Sequence, residues 1–150
     1  MYLDRYDLNA GDSLTTFYFV SEGNRGRFIK IIQFEPMELE GVYNLAFGDH
    51  DAATGQLNDK AVTDNGDTEK TLATVVAALY KFADHYPAAW VYATGSTATR
   101  TRLYRMGINK YWPVVAADFD ILGQRDSEWE PYEVGKDYQA FAVRRKASYI

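Results

Sequence analysis

The residues best suited to chemistry fall in one run, Thr94-Gly95-Ser96-Thr97-Ala98-Thr99-Arg100-Thr101-Arg102-Leu103-Tyr104-Arg105. It follows an apolar stretch, Trp90–Ala93, that reads as a buried strand, and it opens a segment that reads as a helix from about Thr97 to Met106. The first N–H groups of a helix lack internal partners and mark the positive end of its dipole, so they favour an anion. Gly95 would let a ligand approach the backbone, and Ser96 and Thr97 add hydroxyl donors. Arg100, about one turn in, could fork onto a phosphate or carboxylate. Arg102 lies about 200° further round the helix, so the two arginines need not share one ligand. Arg105 complements the C-terminal end of the dipole, Leu103 and Met106 are the expected core anchors, and Gly107 is the expected stop. The candidate ligand-binding set is therefore Gly95, Ser96, Thr97, Arg100 and Arg102. The same residues also fit an ordinary capped helix with a solvated arginine face, and both readings stand at this point. The spacing matches neither GxxxxGK[ST] nor GxGxxG, and no motif names a cofactor.

Other constellations are weaker. Asp49-His50-Asp51 has acid–base residue types, but successive strand residues face opposite ways, and a polar hairpin tip explains it. His85 falls in the last turn of a helix, where histidine commonly meets open carbonyls. With two histidines and no cysteine, and without HExxH spacing, no metal site is expected. Gly95-Ser96-Thr97-Ala98 is not a GxSxG elbow. Glu35, Glu38 and Glu40 read as a solvated connection. A second helix start, at Asp67-Thr68-Glu69, is already filled by its own acids, which would repel a phosphate.

The elements that must position these residues follow from periodicity. Thr16–Val20, Phe28–Phe34 and Val42–Phe47 read as strands, and Gln56–Thr63 as a weaker, polar one. Phe17 and Phe19 share a face, as do Tyr43, Leu45 and Phe47. Lys30 interrupts the stripe Phe28, Ile32, Phe34. Asn65-Gly66 marks a turn, and Asp67 caps a long helix. That helix has an apolar stripe of Leu72, Val75, Val76, Leu79, Phe82, Ala83 and Tyr86, and Pro87 ends it. Tyr111–Ala117 reads as a short helix, Phe119–Gly123 and Tyr138–Arg145 as closing strands, and Glu128–Pro131 as a loop. Residues 1–15 read as polar and loose. The order ββββ-α-β-α-ββ predicts a single α+β domain over residues 1–150. An antiparallel-rich sheet of about six to seven strands would carry two main helices.

Composition sets the outer limits. The chain has 150 residues, 47% of them apolar, with 3 Trp, 12 Tyr and 8 Phe, which is enough for one well-filled core. There are no cysteines, so disulfides, Cys-bound zinc and thiol nucleophiles are excluded. The longest strongly apolar stretch, Leu72–Tyr80, is too short to span a bilayer, and no membrane association is expected. The start MYLDRYDLNAGD carries acids and no apolar run, so a signal peptide is not expected and a cytoplasmic location is. Net charge is −5, which disfavours duplex DNA as a partner. The charge is uneven. Glu35–Glu69 holds nine acidic residues against Lys60 alone, whereas Gly95–Lys110 holds four basic residues and no acid.

Three stretches carry a family resemblance: Phe17-Tyr18-Phe19-Val20-Ser21-Glu22-Gly23, Asn65-Gly66-Asp67-Thr68-Glu69-Lys70, and Ala93-Thr94-Gly95-Ser96-Thr97 with Arg100-Thr101-Arg102-Leu103-Tyr104-Arg105-Met106-Gly107. Together they resemble a family of short bacterial proteins of unknown function, common among Bacteroidetes. That resemblance implies no catalytic residue. The element order is also similar to the core of GNAT-type acetyltransferases, where the helix after the splayed strand carries an aromatic–Gly ending like Leu103-Tyr104-Arg105-Met106-Gly107. Thr63-Asp64-Asn65-Gly66-Asp67-Thr68 stands where that family has its pyrophosphate loop, and it lacks the Gln/Arg.

The expected function is binding of a phosphate- or carboxylate-bearing small molecule at the Gly95–Arg102 turn. The competing expectation is a non-catalytic interaction module, a homodimer or the partner of an operon-encoded protein. A third is RNA binding through Arg100, Arg102, Arg105 and Arg144-Arg145-Lys146, with tyrosines stacking on bases.

Overall fold

The computed structural model describes residues 4–51, 53–55, 57–58, 65–95 and 97–147. Their elements run β1 (Asn9–Ala10), β2 (Thr16–Gly23), β3 (Gly26–Pro36), β4 (Val42–His50), β5 (Leu57–Asn58), α1 (Thr68–His85), β6 (Trp90–Ala93), α2 (Ala98–Lys110), α3 (Trp112–Asp118), β7 (Phe119–Arg125), β8 (Glu128–Pro131) and β9 (Ala140–Arg145). The class is α+β, as the sequence predicts, with more strands than expected. β1 and β5 have two residues each, too few to show alternation. The rest of the expected fourth strand lies outside the described residues. β8 replaces the expected loop, because Glu128–Pro131 pairs antiparallel with Leu122–Arg125 despite its proline and acids. Pro131 ends that strand, an edge position where a missing N–H is tolerated.

The chain divides into two compact units, residues 1–34 with 46–82, and residues 35–45 with 83–150. In the first, β2 and β3 form a hairpin that turns on Asn24-Arg25 between paired Gly23 and Gly26. β1 extends it through Asn9 opposite Tyr18. Further up the chain, Tyr6 N–H donates to Thr74 Oγ1 at 2.9 Å. Phe17, Phe19, Ile32 and Phe34 are buried, and Phe34 stacks on Phe82 of α1 with centroids 4.3 Å apart. Lys30 is buried in the same stripe, ion-paired with Asp49 of β4. Helix α1 keeps its predicted apolar stripe, yet every residue from Thr71 to Ala78 is buried, so this stretch has no solvent face.

In the second unit the strand order is β4-β6-β9-β7-β8. Its first pair is parallel, Val42 opposite Trp90, and the others are antiparallel, so this sheet is mixed. Phe119, Ile121, Phe141 and Val143 are buried on it. Tyr132, Tyr138 and Phe141 form an aromatic cluster, and the Tyr132 ring also meets Trp112 at 5.3 Å. Pro113 sits in the first turn of α3, where its missing N–H has no helical acceptor to lose. Among the described residues no helix is long and apolar enough to cross a membrane.

Candidate functional site

Strand β6 ends at Ala93, and two residues later the chain is locked onto its own helix. Gly95 N–H donates to Thr101 Oγ1 at 2.9 Å, and Thr101 Oγ1 donates to Thr97 O at 3.2 Å. Thr97 is the N-cap of α2, in an extended conformation, and its Oγ1 accepts from Arg100 N–H at 3.1 Å. Thr94 Oγ1 donates to Gln139 O at 2.8 Å, which ties the loop to the segment before β9. Gly95 is needed for packing. A Cβ there would lie 2.2 Å from Thr101 N and 2.6 Å from the Arg100 carbonyl carbon. The space beside Gly95 is thus occupied by the helix itself. Ser96 lies outside the described residues.

The lock also fixes which face of α2 turns inward. Tyr104 and Gly107 are its buried residues. Met106, an expected core anchor, is instead 43% exposed, and Leu103 is only half-buried. Gly107 does not stop the helix, which runs on to Lys110 and is capped by Tyr111 N–H on the carbonyls of Gly107 and Asn109. A mid-helix glycine costs about 0.5–1 kcal/mol against alanine, and here that residue occupies a buried helical position. Arg100 is half-buried beside the cap and Arg102 is exposed. Arg105 is ion-paired with Asp137 and so is already committed to a carboxylate. The first turn of α2 carries no acidic residue.

The start of α1 is built the other way. The Asp67 carboxylate accepts from Tyr6 Oη at 2.6 Å and from Ser21 Oγ at 2.5 Å. Ser21 and Asn65 are fully buried, and Asn65 Nδ2 donates to Ser21 Oγ and to Gly26 O, both at 3.0 Å. Asn65 Oδ1 accepts from Arg25 N–H at 2.7 Å. A Cβ on Gly23 would lie 1.9 Å from Asn65 O, so the hairpin needs glycine to approach this closely. Burial, and then the hydrogen bond to Asp67, hold the Tyr6 hydroxyl above the usual phenol range. An adjoining cleft of about 620 Å³ is lined by Asp4, Glu22, Asp67 and Glu69 together with Lys70, whose Nζ lies 4.5 Å from the Tyr6 ring centre. Four acids against one base would repel an anion, so this helix start offers no phosphate cradle.

Sequence reasoning missed Tyr6, Ser21 and Asn65 as a unit. Ser21 did leave a signal, as the third residue of the alternation Phe17, Phe19, Ser21. Tyr6 left none. The other expected clusters stay apart. Asp49 pairs with Lys30, and His50 meets the Tyr18 ring edge-on.

A family model matches residues 2–146, nearly the whole chain. The chain belongs to DUF6934, a family of unknown function. No curated protein and no solved structure matches it. In this DUF6934 chain, two of the three stretches that carry the resemblance meet in the Ser21–Asn65–Asp67 network, and the third builds the locked start of α2.

Proposed function

We propose that the chain is a binding domain for a small molecule carrying a phosphate or carboxylate, taken at the start of α2. One observation carries the reading: α2 opens on a threonine cap with Arg100 half-buried beside it and no acid in its first turn. The N–H groups of Ala98 and Thr99 have no acceptor within the helix, and the dipole adds about half a positive charge there. Arg100 is the clamp, and Thr97 fixes the turn. Gly95 serves the site by letting strand and helix meet. Arg102, on the other side of α2, adds only to the local positive field. The acetyltransferase likeness contributes no residue, because acids occupy the start of α1 where a pyrophosphate would sit.

The test is a thermal-shift series with inorganic phosphate, sulfate, nucleotides and short carboxylates on wild type and Arg100→Ala. A ligand at about 100 times its dissociation constant adds about 2.7 kcal/mol. The expected outcome is a rise of several degrees in wild type that is lost in the variant. Equal shifts in both proteins would remove Arg100 from the site.

A further inference from the structure

A second feature of the same unit points to self-association. Residues 35–40, Glu-Pro-Met-Glu-Leu-Glu, are all exposed. They lead into a tight turn in which Met37 N–H donates to Val42 O at 2.9 Å and Val42 N–H donates to Leu39 O at 3.2 Å. The turn thus holds Leu39 at its tip, 72% exposed, with Met37 at 41%. Among the described residues, Glu35, Glu38 and Glu40 make no ion pair. This is an apolar knob flanked in sequence by three carboxylates that make no ion pair among the described residues.

The same unit displays the complementary surface. The outer face of α2 runs Thr99, Arg102, Met106, Lys110, all exposed and spaced by three or four residues. The whole helix carries no acidic residue. Arg102, like the three glutamates, makes no ion pair within the chain among the described residues. Met106 supplies a flexible apolar side chain between the cations, a residue type suited to adaptable contacts. Single exposed apolar residues are ordinary on protein surfaces. Here they sit inside patches of opposite charge, in which Arg102 on one side and the three glutamates on the other make no ion pair among the described residues, and such complementarity sets register and partner choice.

We infer that the occupant of each patch is a second copy of this chain, with the 35–40 turn of one copy seated on the outer face of α2 of the other. Two-fold pairing uses both patches of both copies and closes, whereas head-to-tail pairing would leave one of each open and propagate. The contact adjoins the proposed anion site, with Thr99 on both and Arg102 adding to the field there, but the anion clamp Arg100 lies about 100° round the helix from Thr99 and is no part of the contact.

The experiment is light scattering and sedimentation equilibrium of the full chain across a concentration series up to about 1 mM, the weak end of specific affinity. A dimer is expected, loosened by salt because exposed charge pairs are screened. Arg102→Glu alone and Glu38→Arg/Glu40→Arg alone should each raise the dissociation constant about tenfold or more. Equal mixing of the two variants should restore wild-type association, since each then meets its complement. Thermal midpoints that match wild type at dilutions where every protein is monomeric establish that both variants are folded, and Arg100→Ala should dimerise as wild type does. A wild type that stays monomeric throughout, a dimer indifferent to both variants, or a mixture that fails to recover would each overturn the proposal.

Discussion

Lys30 shows what one residue does to a reading made from types alone. It falls in an apolar stripe, where a lysine looks like an error of face assignment. The side chain is nonetheless buried, paired with Asp49 and 5.9 Å from the centre of the Phe28 ring. The pairing was invisible in sequence because Asp49 is 19 positions away on another strand. Removing one partner of a buried pair strands the other, at about 3–5 kcal/mol. Lys30→Ala should therefore lower stability by that order, and Lys30→Met with Asp49→Leu should recover most of it. Denaturant melts of the three variants decide this, and a near-neutral Lys30→Ala would show that the pair is not buried in solution. Tyr132 makes a second prediction. Burial pushes its hydroxyl from the usual 10.0 up to about 12. Because the folded pKa is the higher one, the fold holds the proton more tightly. The stabilisation is complete below pH 10 and is lost as pH rises toward 12. Each pH unit in that window is worth about 1.4 kcal/mol for the one proton. Alkaline melts should fall more steeply above pH 10 in wild type than in Tyr132→Phe. Parallel curves would contradict the burial of that hydroxyl.

At the scale of elements, the link between β6 and α2 decides the geometry of the site. Gly95→Ala would drive a methyl into the backbone of Thr101, and overpacking of this kind costs about 1–3 kcal/mol or more. The expected result is a melting midpoint lower by several degrees, together with loss of anion binding, because the cap and Arg100 would shift with the turn. A wild-type midpoint would show that the lock is loose. Legibility in the sequence varied with how local each signal was. Trp90–Ala93 was found to the residue, since Pro87 and Gly95 bracket a short apolar run. The stripe of α1 was equally plain. The inward face of α2 was not, because Gly95–Thr101 contact sets the rotation of the helix and makes Met106 an outer residue. That a serine or threonine caps this helix start was legible as a residue type with a known habit, whereas its position at Thr97, one residue before the helix begins at Ala98, was not. The Tyr6–Ser21–Asn65–Asp67 network was not, since it joins three separated segments through side chains.

For the whole molecule, the sequence offers an acidic half and a basic half, but the fold does not keep them so. Glu35, Glu38 and Glu40 belong to the same compact unit as every arginine of α2, while Asp49 to Glu69 belong to the other. Residues 1–34 with 46–82 hold ten acidic and seven basic residues, and residues 35–45 with 83–150 hold eleven and nine. Neither unit is a basic surface, so steering of an anion rests on the local field at α2 and not on net charge. What distinguishes a site at α2 is therefore where an anion touches the chain. The direct measurement is a titration of the ¹⁵N-labelled protein with inorganic phosphate, following backbone amide shifts. Binding at α2 gives saturable shifts at Ala98, Thr99 and Arg100, abolished by Arg100→Ala, with Thr68, Glu69 and Lys70 at the acidic start of α1 unmoved. Shifts at the start of α1, or none at α2 up to saturating phosphate, would contradict it.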